Sequence, residues 1–453
     1  MNQFKILKKD KSAGRRTKAR LGVLTTPHGI IKTPSYVFVG TYGKFLHLSP
    51  NDLKKTNSQI FIANTFHLWK TALQERLQGR RLQGRSLLGG RGKSLLIKKL
   101  GLNIPTMTDS GGFQVLSLAF SDKNKVGKFM TGTVKADSNY KRTKIRITEK
   151  GVYFKYNSKW KFLGPELSMK LQRKIGADII FAFDHITSPL DTYKYNQKAL
   201  RLTEKWAKIC LKEHAKNQKS RLQSNRGSSI SQSSSARGKS GQQLFGIVQG
   251  GLFKDLRIQS AKSIGSMPFD GFGIGGSYTK KQIAKVLKWV IPHLPEEKPR
   301  HLLGVGKVED IFEAIENGID TFDCVIPTRE ARHGRLYTKT GHLDIRRGYF
   351  SKDKPGSRFF DSAFSDKAKP LKNSLPGKKI EPGCKCPTCS AGIPRWKIRE
   401  LIKSKDRILN AQGQRWCLIH NMWFFNKLLE DIRNSIAQGK FIEFKKKFLA
   451  NYI

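Results

Sequence analysis

The sequence predicts an α/β fold: a (β/α)8 barrel over residues 16–335, followed by a smaller subdomain with helices over residues 336–453. Three observations predict the barrel. Eight short β-rich runs recur along the first range, helical patterns separate them, and the runs end in polar residues or glycine. Strands that alternate with helices form parallel sheets, and eight such repeats are typical of a closed barrel.

The elements of this barrel can be placed in order along the chain. The expected strands are residues 36–39, 60–63, 106–108, 179–183, 244–248, 271–274, 301–303 and 321–325. The clearest helices between them are residues 166–174, 195–216, 254–264, 280–291 and 308–316. In the last repeat, a strand, a helix that ends before Gly318 and a second strand form one βαβ unit. We therefore expect Asp323 at the carboxyl end of a parallel strand.

Three segments interrupt the barrel pattern. Residues 73–96 contain a tandem RLQGR repeat without apolar periodicity, and residues 217–243 are rich in Ser, Gln and Arg. Neither composition can pack a core, so we expect both to be disordered insertions. The excursion over about 122–165 differs, because residues 144–163 alternate in strand fashion around turn-forming residues such as Gly151. There we expect an ordered antiparallel hairpin.

The charge of the chain indicates a polyanionic partner. Lysine and arginine number 86 against 34 aspartates and glutamates, for a formal net charge of +52. The low-complexity segments 74–96 and 214–243 supply only +11 of this excess, so the folded part is itself basic. A strongly basic folded surface favours nucleic acid as the partner.

The six cysteines indicate a reducing compartment. Three of them are packed into residues 384–389, which is unlike the spacing of a secreted disulfide framework. The chain has no apolar run of membrane-spanning length, and its first 22 residues are basic without the apolar segment of a secretory signal. We therefore expect a cytoplasmic protein without a membrane partner, whose N-terminal residues lead into the first strand.

A metal site is predicted near the C-terminus. Cys384, Cys386 and Cys389 supply three closely spaced thiolates, and His420 supplies an imidazole about thirty residues later. A turn can present several sulfurs to one ion while a distant helix brings the fourth ligand, which is typical of a closed tetrahedral zinc site. We expect one structural Zn2+ per chain. Cys417 is the alternative to His420, but a helical pattern at residues 421–435 favours the histidine.

Polar residues at the ends of the expected strands form a candidate active site. Asp109 and Asp323 are a carboxylate pair, expected on neighbouring sides of one barrel mouth. Paired carboxylates suit cleavage of a glycosidic bond, one as nucleophile and one as proton donor and acceptor. Asp184, Gln249 and the Gly276 amide add the mixed acceptors and donors that can read the Watson–Crick edge of a purine.

These motifs together resemble a known family. They are DSGGFQ at 109–114, FD at 183–184, FGIVQG at 245–250, GG at 275–276, FDCVIPTR at 322–329, and the set Cys384, Cys386, Cys389 and His420. The chain resembles queuine tRNA-ribosyltransferases, the tRNA-guanine transglycosylases, from about Arg16 to its C-terminus apart from the insertions. The resemblance implies an irregular TIM barrel with a C-terminal zinc-binding subdomain. It also implies exchange of the wobble guanine in GUN-anticodon tRNAs for a free 7-deazaguanine, and a homodimer.

The resemblance also implies individual roles. Asp323 would attack the ribose as nucleophile and hold the tRNA as a covalent glycosyl-enzyme, while Asp109 would act as general acid and base. The base would be read by Asp184, Gln249 and Gly276. The remaining expected contacts are stacking on the base by Phe113 and Leu303, and binding of the tRNA anticodon loop by Arg329 and Arg332.

Two departures from the family pattern concern the incoming base. His185 and Ile186 follow Asp184 where bacterial members have Glu-Cys, and Lys281 stands where they have a glutamate that helps to recognise an aminomethyl group. We still expect 7-aminomethyl-7-deazaguanine as the incoming base, with relaxed selectivity. The absence of an additional archaeal-type RNA-binding domain argues against archaeosine synthesis.

Two alternatives to this function belong to other classes. A non-catalytic tRNA-binding subunit would have lost the nucleophile or the zinc ligands, whereas Asp109, Asp323 and the Cys3His set are all present. An ordinary glycoside hydrolase could use the same carboxylate pair. The net charge of +52 and the two arginines after Asp323 favour a polyanion over a neutral sugar.

Overall fold

The computed structural model describes residues 3–11, 17–77, 94–118, 145–156, 159–189, 191–226, 241–276, 280–347 and 377–452. Its strands are β1 (Phe4–Lys9), β2 (Arg20–Thr26), β3 (Gly29–Thr33), β4 (Ser35–Val39), β5 (Phe61–Ala63), β6 (Thr106–Thr108), β7 (Ile145–Thr148), β8 (Gly151–Tyr156), β9 (Lys159–Leu163), β10 (Ile179–Phe181), β11 (Gln243–Val248), β12 (Gly271–Ile274), β13 (Arg300–Leu302), β14 (Thr321–Cys324), β15 (Arg335–Thr338) and β16 (Gly341–Asp344).

The helices follow the same chain order. They are α1 (Pro50–Lys55), α2 (Thr65–Leu77), α3 (Leu95–Leu100), α4 (Gly112–Leu118), α5 (Pro165–Ile175), α6 (Tyr193–Arg226), α7 (Lys254–Gly265), α8 (Lys280–Val290), α9 (Val308–Glu316), α10 (Ile326–Arg332), α11 (Pro387–Ser390), α12 (Arg395–Lys403), α13 (Arg407–Ala437) and α14 (Phe441–Ala450), with a 3-10 turn at Ile291–His293. No helix of the described residues is both long and apolar enough to cross a membrane.

Eight parallel strands close into a barrel, which confirms the predicted fold class. Their order around the barrel is β4, β5, β6, β10, β11, β12, β13 and β14, and β14 pairs with β4 to close it. All eight predicted strands are present, with ends shifted by two residues at most. Side chains of strand residues such as Phe181, Phe245 and Ile247 are buried inside, so the barrel is a packed core rather than a channel.

The N-terminal residues form strands of their own. β1, β2 and β3 make an antiparallel sheet, and Phe4, Leu24 and Ile31 pack against buried barrel residues. The side-chain amide of Gln243, at the start of β11, donates to the carbonyl of Thr25 at 2.7 Å. The sheet therefore covers the amino-terminal end of the barrel and leaves the carboxyl end for other elements.

Of the excursion predicted over about 122–165, the part from residue 145 onward forms antiparallel strands, and residues 122–144 lie outside the described residues. β7, β8 and β9 form a three-stranded sheet, in which Val152 and Phe154 of β8 are buried. The ring of Phe154 lies 5.6 Å from that of Phe66 and 6.1 Å from that of Trp69, both on α2. Since the sheet lies between β6 and β10 in sequence, it extends from the carboxyl mouth of the barrel.

The disorder predicted for the two insertions is wrong at their margins. Helix α2 continues to Leu77, and α6 continues to Arg226, so the margins of the predicted disordered segments are helical. Lysine, arginine and glutamine favour helix without an apolar face, which explains why a polar composition did not reveal this extension. The rest of these predictions, at residues 78–93 and 227–240, lies outside the described residues.

The C-terminal helices pack directly on the barrel. α13 begins fourteen residues before the helical pattern that the sequence showed, with Asp406 accepting from the backbone amides of Ile408 and Leu409 as its N-cap. Phe425 of α13 lies 5.1 Å, ring to ring, from Tyr36 of β4. The predicted boundary between residues 335 and 336 falls at the start of β15, and the division into two domains stays a prediction.

Candidate active site and metal centre

The candidate site residues lie at the same end of the barrel. Asp109 directly follows β6, Asp184 lies three residues after β10, Gln249 directly follows β11, Gly276 lies two residues after β12, and Asp323 is the penultimate residue of β14. Because all these strands are parallel members of one closed barrel, the five residues surround its carboxyl mouth. The sequence had placed each of them at a strand end.

Asp109 is held by several hydrogen-bond donors. Its Oδ1 accepts from the backbone amides of Thr65 at 3.0 Å and Gly111 at 3.1 Å. Its Oδ2 accepts from the side-chain amides of Asn64 at 2.5 Å and Gln114 at 3.2 Å. Burial nevertheless raises the pKa of Asp109 to about 7, since it outweighs the hydrogen bonds that favour the ionised form. This carboxyl group can therefore both give and take a proton near neutral pH.

Asp184 and Gln249 form a buried polar pair. Nε2 of Gln249 donates to Oδ2 of Asp184 at 2.6 Å, and the Ser110 hydroxyl donates to Oδ1 at 3.4 Å. Burial raises the pKa of Asp184 to about 6. Among the described residues, no group hydrogen-bonds to the buried Oε1 of Gln249. The pair thus presents a carboxylate and an unused amide acceptor at the mouth, both suited to N–H groups of a ligand.

The Asp323 carboxylate is fixed through one of its oxygens. Oδ1 lies 3.1 Å from Nε2 of His301 and accepts from the backbone amide of Gly304 at 3.2 Å. His301 is fully buried, and its Nδ1 lies 2.9 Å from the Thr321 hydroxyl. Sequence reasoning missed His301 as a site residue. The available signal was a single histidine in the strand next to that of Asp323.

The sequence predicts the two acids on neighbouring sides of the mouth, and this prediction is wrong. Asp323 is on β14 and Asp109 follows β6, and β4 and β5 lie between these strands. Three strand steps around an eight-stranded barrel place them on nearly opposite sides, so the two acids face each other across the mouth. Burial is the largest influence that raises the pKa of Asp109, and the negative charge of Asp323 raises it further. The acids are thus electrostatically coupled.

The remaining predicted base contacts lie on turns at the mouth. Gly276 has a φ of 130°, which favours glycine at this position. The preceding carbonyl, of Gly275, accepts from the buried guanidinium of Arg257 at 2.8 Å, which holds this turn in place. Phe113, in the first turn of α4, is 47% exposed, whereas Leu303 is partly buried against the barrel core. An exposed ring is free to stack, and the stacking role of both side chains stays a prediction.

The two predicted tRNA-binding arginines lie on the helix that follows Asp323. Arg329 and Arg332 are three residues apart on α10, which places both on one helix face. Arg329 is exposed and Arg332 is partly buried. Burial lowers the pKa of Arg332, and the positive charge of Arg329 lowers it further. Two cations held this close together repel each other, and an anionic ligand bound between them would relieve that repulsion.

The residues that follow Asp184 have structural contacts. His185 is buried, its backbone amide donates to the Thr203 hydroxyl at 3.0 Å, and its Nε2 lies 3.1 Å from the Tyr195 hydroxyl. The side chain of Lys281 lies outside the part of the chain that the structure describes, as do residues 277–279. Its expected position at the site of the family glutamate therefore stays a prediction.

The predicted metal ligands come together in one cluster. The Sγ atoms of Cys384, Cys386 and Cys389 and one ring nitrogen of His420 all lie within 4.8 Å of one another. Ligands of a tetrahedral zinc ion at bond lengths of about 2.0–2.3 Å are about 3.3–3.8 Å apart, so these donors fit that geometry with small adjustments. Cys417 is buried outside this cluster, which favours His420 as the fourth ligand.

The orientation of His420 supports metal binding. Its Nδ1 lies 3.3 Å from Sγ of Cys386, and its Nε2 lies 2.8 Å from the carbonyl oxygen of Tyr337. A proton on Nε2 donates to this carbonyl and leaves the lone pair of Nδ1 directed at the cysteines. The backbone amides of Cys386 and Cys389 also point at cluster sulfurs, at 3.5 and 3.3 Å. This cluster is a metal-binding site of the Cys3His type.

Comparisons with known proteins agree with this site. The family described as Queuine tRNA-ribosyltransferase matches residues 15–453. The Queuine tRNA-ribosyltransferase of Clostridium perfringens (strain 13 / Type A) is 35% identical over an alignment of 456 positions, which covers 99% of this chain and 98% of the relative. The protein of the same name from Francisella tularensis subsp. holarctica (strain LVS) is 34% identical over 455 residues, 99% of each chain. The chain therefore belongs to the queuine tRNA-ribosyltransferase family of tRNA-modifying transferases.

Proposed function

We propose that this enzyme exchanges the wobble guanine of GUN-anticodon tRNAs for a 7-deazaguanine by double displacement, as a step of queuosine biosynthesis. The observation that carries the proposal is the pair Asp109 and Asp323, which face each other across one barrel mouth in different environments. One carboxyl group titrates near neutral pH, and the other is fixed through a single oxygen. Such a pair can divide nucleophilic and acid–base roles.

In the first displacement, Asp323 attacks the anomeric carbon of the ribose. The two described hydrogen bonds, from His301 and Gly304, both reach Oδ1, so we assign the attack to Oδ2. The bond to guanine breaks as the ester bond to Asp323 forms, and the tRNA is held as a covalent glycosyl-enzyme. Fixing Oδ1 orients Oδ2 before the substrate arrives and lowers the entropic cost of the attack.

Asp109 serves the proton transfers of both displacements. Its protonated form gives a proton to the departing guanine, and the resulting carboxylate takes a proton from the incoming base. A pKa of about 7 suits this alternation, because both forms are accessible near neutral pH. The four donors around Asp109 stabilise the carboxylate between the two steps.

The base is recognised by Asp184, Gln249 and the Gly276 amide. The carboxylate of Asp184 accepts from the N–H groups of the guanine edge, and the amide groups of Gln249 and Gly276 complete the pattern. The buried Oε1 of Gln249, without a partner in the described part of the chain, supports a ligand with N–H donors. Phe113 and Leu303 stack on the two faces of the base.

The incoming base we favour is 7-aminomethyl-7-deazaguanine. A protonated aminomethyl group needs an acceptor to offset its lost hydration, and the glutamate usual in the family is replaced by Lys281. Backbone carbonyls of the turn after β12 can take that role. A neutral 7-substituent has no such requirement, so selectivity among 7-deazaguanines is relaxed.

The charged residues and the metal centre indicate how the enzyme would bind tRNA. Arg329 and Arg332 contact the anticodon loop beside the wobble nucleotide, and the net charge of +52 attracts the tRNA at longer range. One structural zinc, held by Cys384, Cys386, Cys389 and His420, would crosslink the turn at α11 to α13 and shape the adjoining tRNA surface. We further propose a homodimer that acts in the cytoplasm.

A base-exchange assay tests the proposal. The enzyme is incubated with radiolabelled guanine and unmodified tRNAs that carry each anticodon. Label should enter only the tRNAs with a GUN anticodon. Tight tRNA binding without incorporation would instead support the non-catalytic subunit, and hydrolysis of a simple ribosyl glycoside would support the glycoside hydrolase.

A further inference from the structure

The sheet that extends from the barrel mouth carries aromatic rings and cations on one exposed face. We define this basic aromatic face by Arg146, Tyr153, Lys155, Trp160 and Phe162. Tyr153 pairs with Arg146 on one side and with Phe162 on the other, and Lys155 pairs with Trp160. Residues paired across antiparallel strands lie on the same face of a sheet, so these five side chains share one surface.

The rings of this face are available to a ligand. Tyr153 is 38% and Trp160 51% exposed, whereas Val152 and Phe154, which alternate with Tyr153 along β8, are buried. The rings of Tyr153 and Phe162 lie 4.9 Å apart, and Nζ of Lys155 lies 5.5 Å from the centre of the Trp160 ring. Exposed tryptophan and tyrosine do not contribute to the core of the sheet, and aromatic rings grouped on one exposed face are typical of a binding surface.

The charge of the sheet selects the class of ligand. Residues 145–163 contain five cations and one acid, and that acid, Glu149, is paired with Lys205 at 2.5 Å. Aromatic rings interleaved with lysine and arginine match unpaired nucleotides, whose bases stack on the rings while the cations meet the phosphates. An acidic peptide would use the cations but would leave most of the ring area without a partner.

The sheet is also connected to the catalytic mouth. β9 leads directly into α5, whose Ser168 donates to the carbonyl of Ser110 at 2.7 Å, next to Asp109. Leu163, at the end of β9, lies close enough to Gly111 to touch a methyl group placed there. The sheet that carries the basic aromatic face is therefore anchored beside the mouth, through contacts of its opposite, buried face.

We propose that the basic aromatic face binds unpaired nucleotides of the tRNA by stacking and phosphate contact. This inference rests on the proposed function only in taking the bound RNA to be tRNA. The face adds affinity and does not touch the reacting atoms, so its loss should weaken tRNA binding and leave the chemical step unchanged.

The test compares tRNA affinity by fluorescence anisotropy for wild type and matched variants of the full chain. Trp160→Ala should weaken binding of an unmodified GUN-anticodon tRNA about 5- to 30-fold, and Trp160→Phe should restore much of it. Lys155→Ala should weaken binding and lower the slope of log Kd against log salt by about one. The control is Lys285→Ala, since Lys285 likewise lies over a tryptophan, Trp289, at 5.3 Å, but on α8. It should change neither quantity.

A second ligand and a rate measurement complete the test. A labelled single-stranded oligouridylate should show the same losses, and kcat at saturating tRNA should stay at the wild-type value in every variant. Unchanged tRNA affinity in Trp160→Ala and Lys155→Ala would overturn the inference and would leave the face to a protein partner. Equal losses in Lys285→Ala would overturn it as well. If wild type binds tRNA but exchanges no base, the proposed function fails, while the affinities still decide the role of this face.

Discussion

Nε2 of His301 lies 3.1 Å from Oδ1 of Asp323, and both side chains come from adjacent parallel strands of the barrel. The Thr321 hydroxyl, 2.9 Å from Nδ1, donates to that nitrogen when the ring proton is on Nε2. In this arrangement the imidazole donates to the carboxylate and fixes its direction. His301 is thus a positioning residue for the proposed nucleophile.

Replacing His301 should slow the first displacement. His301→Leu removes a hydrogen bond to a charged group, which is worth roughly 1.5–3 kcal/mol, and should lower the rate of adduct formation about 10- to 100-fold. His301→Gln keeps an N–H donor and should retain more of the rate. Single-turnover formation of the tRNA adduct measures this, with KM for tRNA expected to stay near the wild-type value. A wild-type adduct rate in His301→Leu would contradict the positioning role.

The first displacement should depend on pH through Asp109. Burial raises the pKa of Asp109 to about 7, and cleavage needs the protonated acid. The single-turnover rate should therefore be near its maximum at pH 6 and should fall about tenfold per pH unit well above pH 7. Asp109→Asn should remove most of the rate at every pH.

Gln114→Leu offers a matched control for this assignment. The side-chain amide of Gln114 donates to Oδ2 of Asp109 at 3.2 Å and lowers the pKa of that carboxyl. Without this bond the inflection of the rate profile should move to higher pH, while the rate at pH 6 should change little. An inflection that stays in place, or moves to lower pH, would exclude Asp109 as the titrating acid.

Much of the site could be predicted from the sequence because the parallel strands end in polar residues or glycine. Asp109 and Gln249 each directly follow a β-rich run and Asp323 lies near the end of another, and a closed barrel brings such ends to one mouth. His301 could not be singled out, since a lone histidine inside a strand is also compatible with a core position. Its role depends on a neighbour 22 residues away in sequence.

Other differences arise from properties that a sequence pattern does not encode well. The eighth strand of a closed barrel pairs with the first, which places Asp323 three strands from Asp109 rather than beside it. The helical extension of α6 to Arg226 has polar residues with good helix propensity, so it lacks the apolar stripe that marks a packed helix.

The metal centre predicts zinc-dependent stability. Freshly purified protein should contain one zinc per chain, and Cys386→Ser should lose most of it and lower the Tm of the C-terminal region. Cys417→Ser is the control, because Cys417 is buried on the same helix as His420 but outside the ligand cluster. It should keep the zinc. Metal-free wild-type protein, or equal zinc loss in both variants, would refute the assignment of these ligands.

Competition between incoming bases tests the proposed selectivity. The aminomethyl, cyano and queuine bases should differ by no more than about two decades in kcat/KM, since one missing charged contact is worth roughly 1.5–3 kcal/mol. Competition kinetics with the three free bases measure these ratios. A preference for the aminomethyl base well beyond that range would reveal an acceptor in place of the glutamate that this chain lacks.

The covalent role of Asp323 is the central claim, and trapping of the glycosyl-enzyme tests it most directly. Wild type, Asp323→Ala and Asp323→Asn are each incubated with GUN-anticodon tRNA, denatured, and resolved by electrophoresis with mass analysis of the linked peptide. We expect a denaturation-resistant adduct on Asp323 in wild type and none in either variant, together with loss of guanine exchange. An adduct that forms in Asp323→Ala would contradict the account.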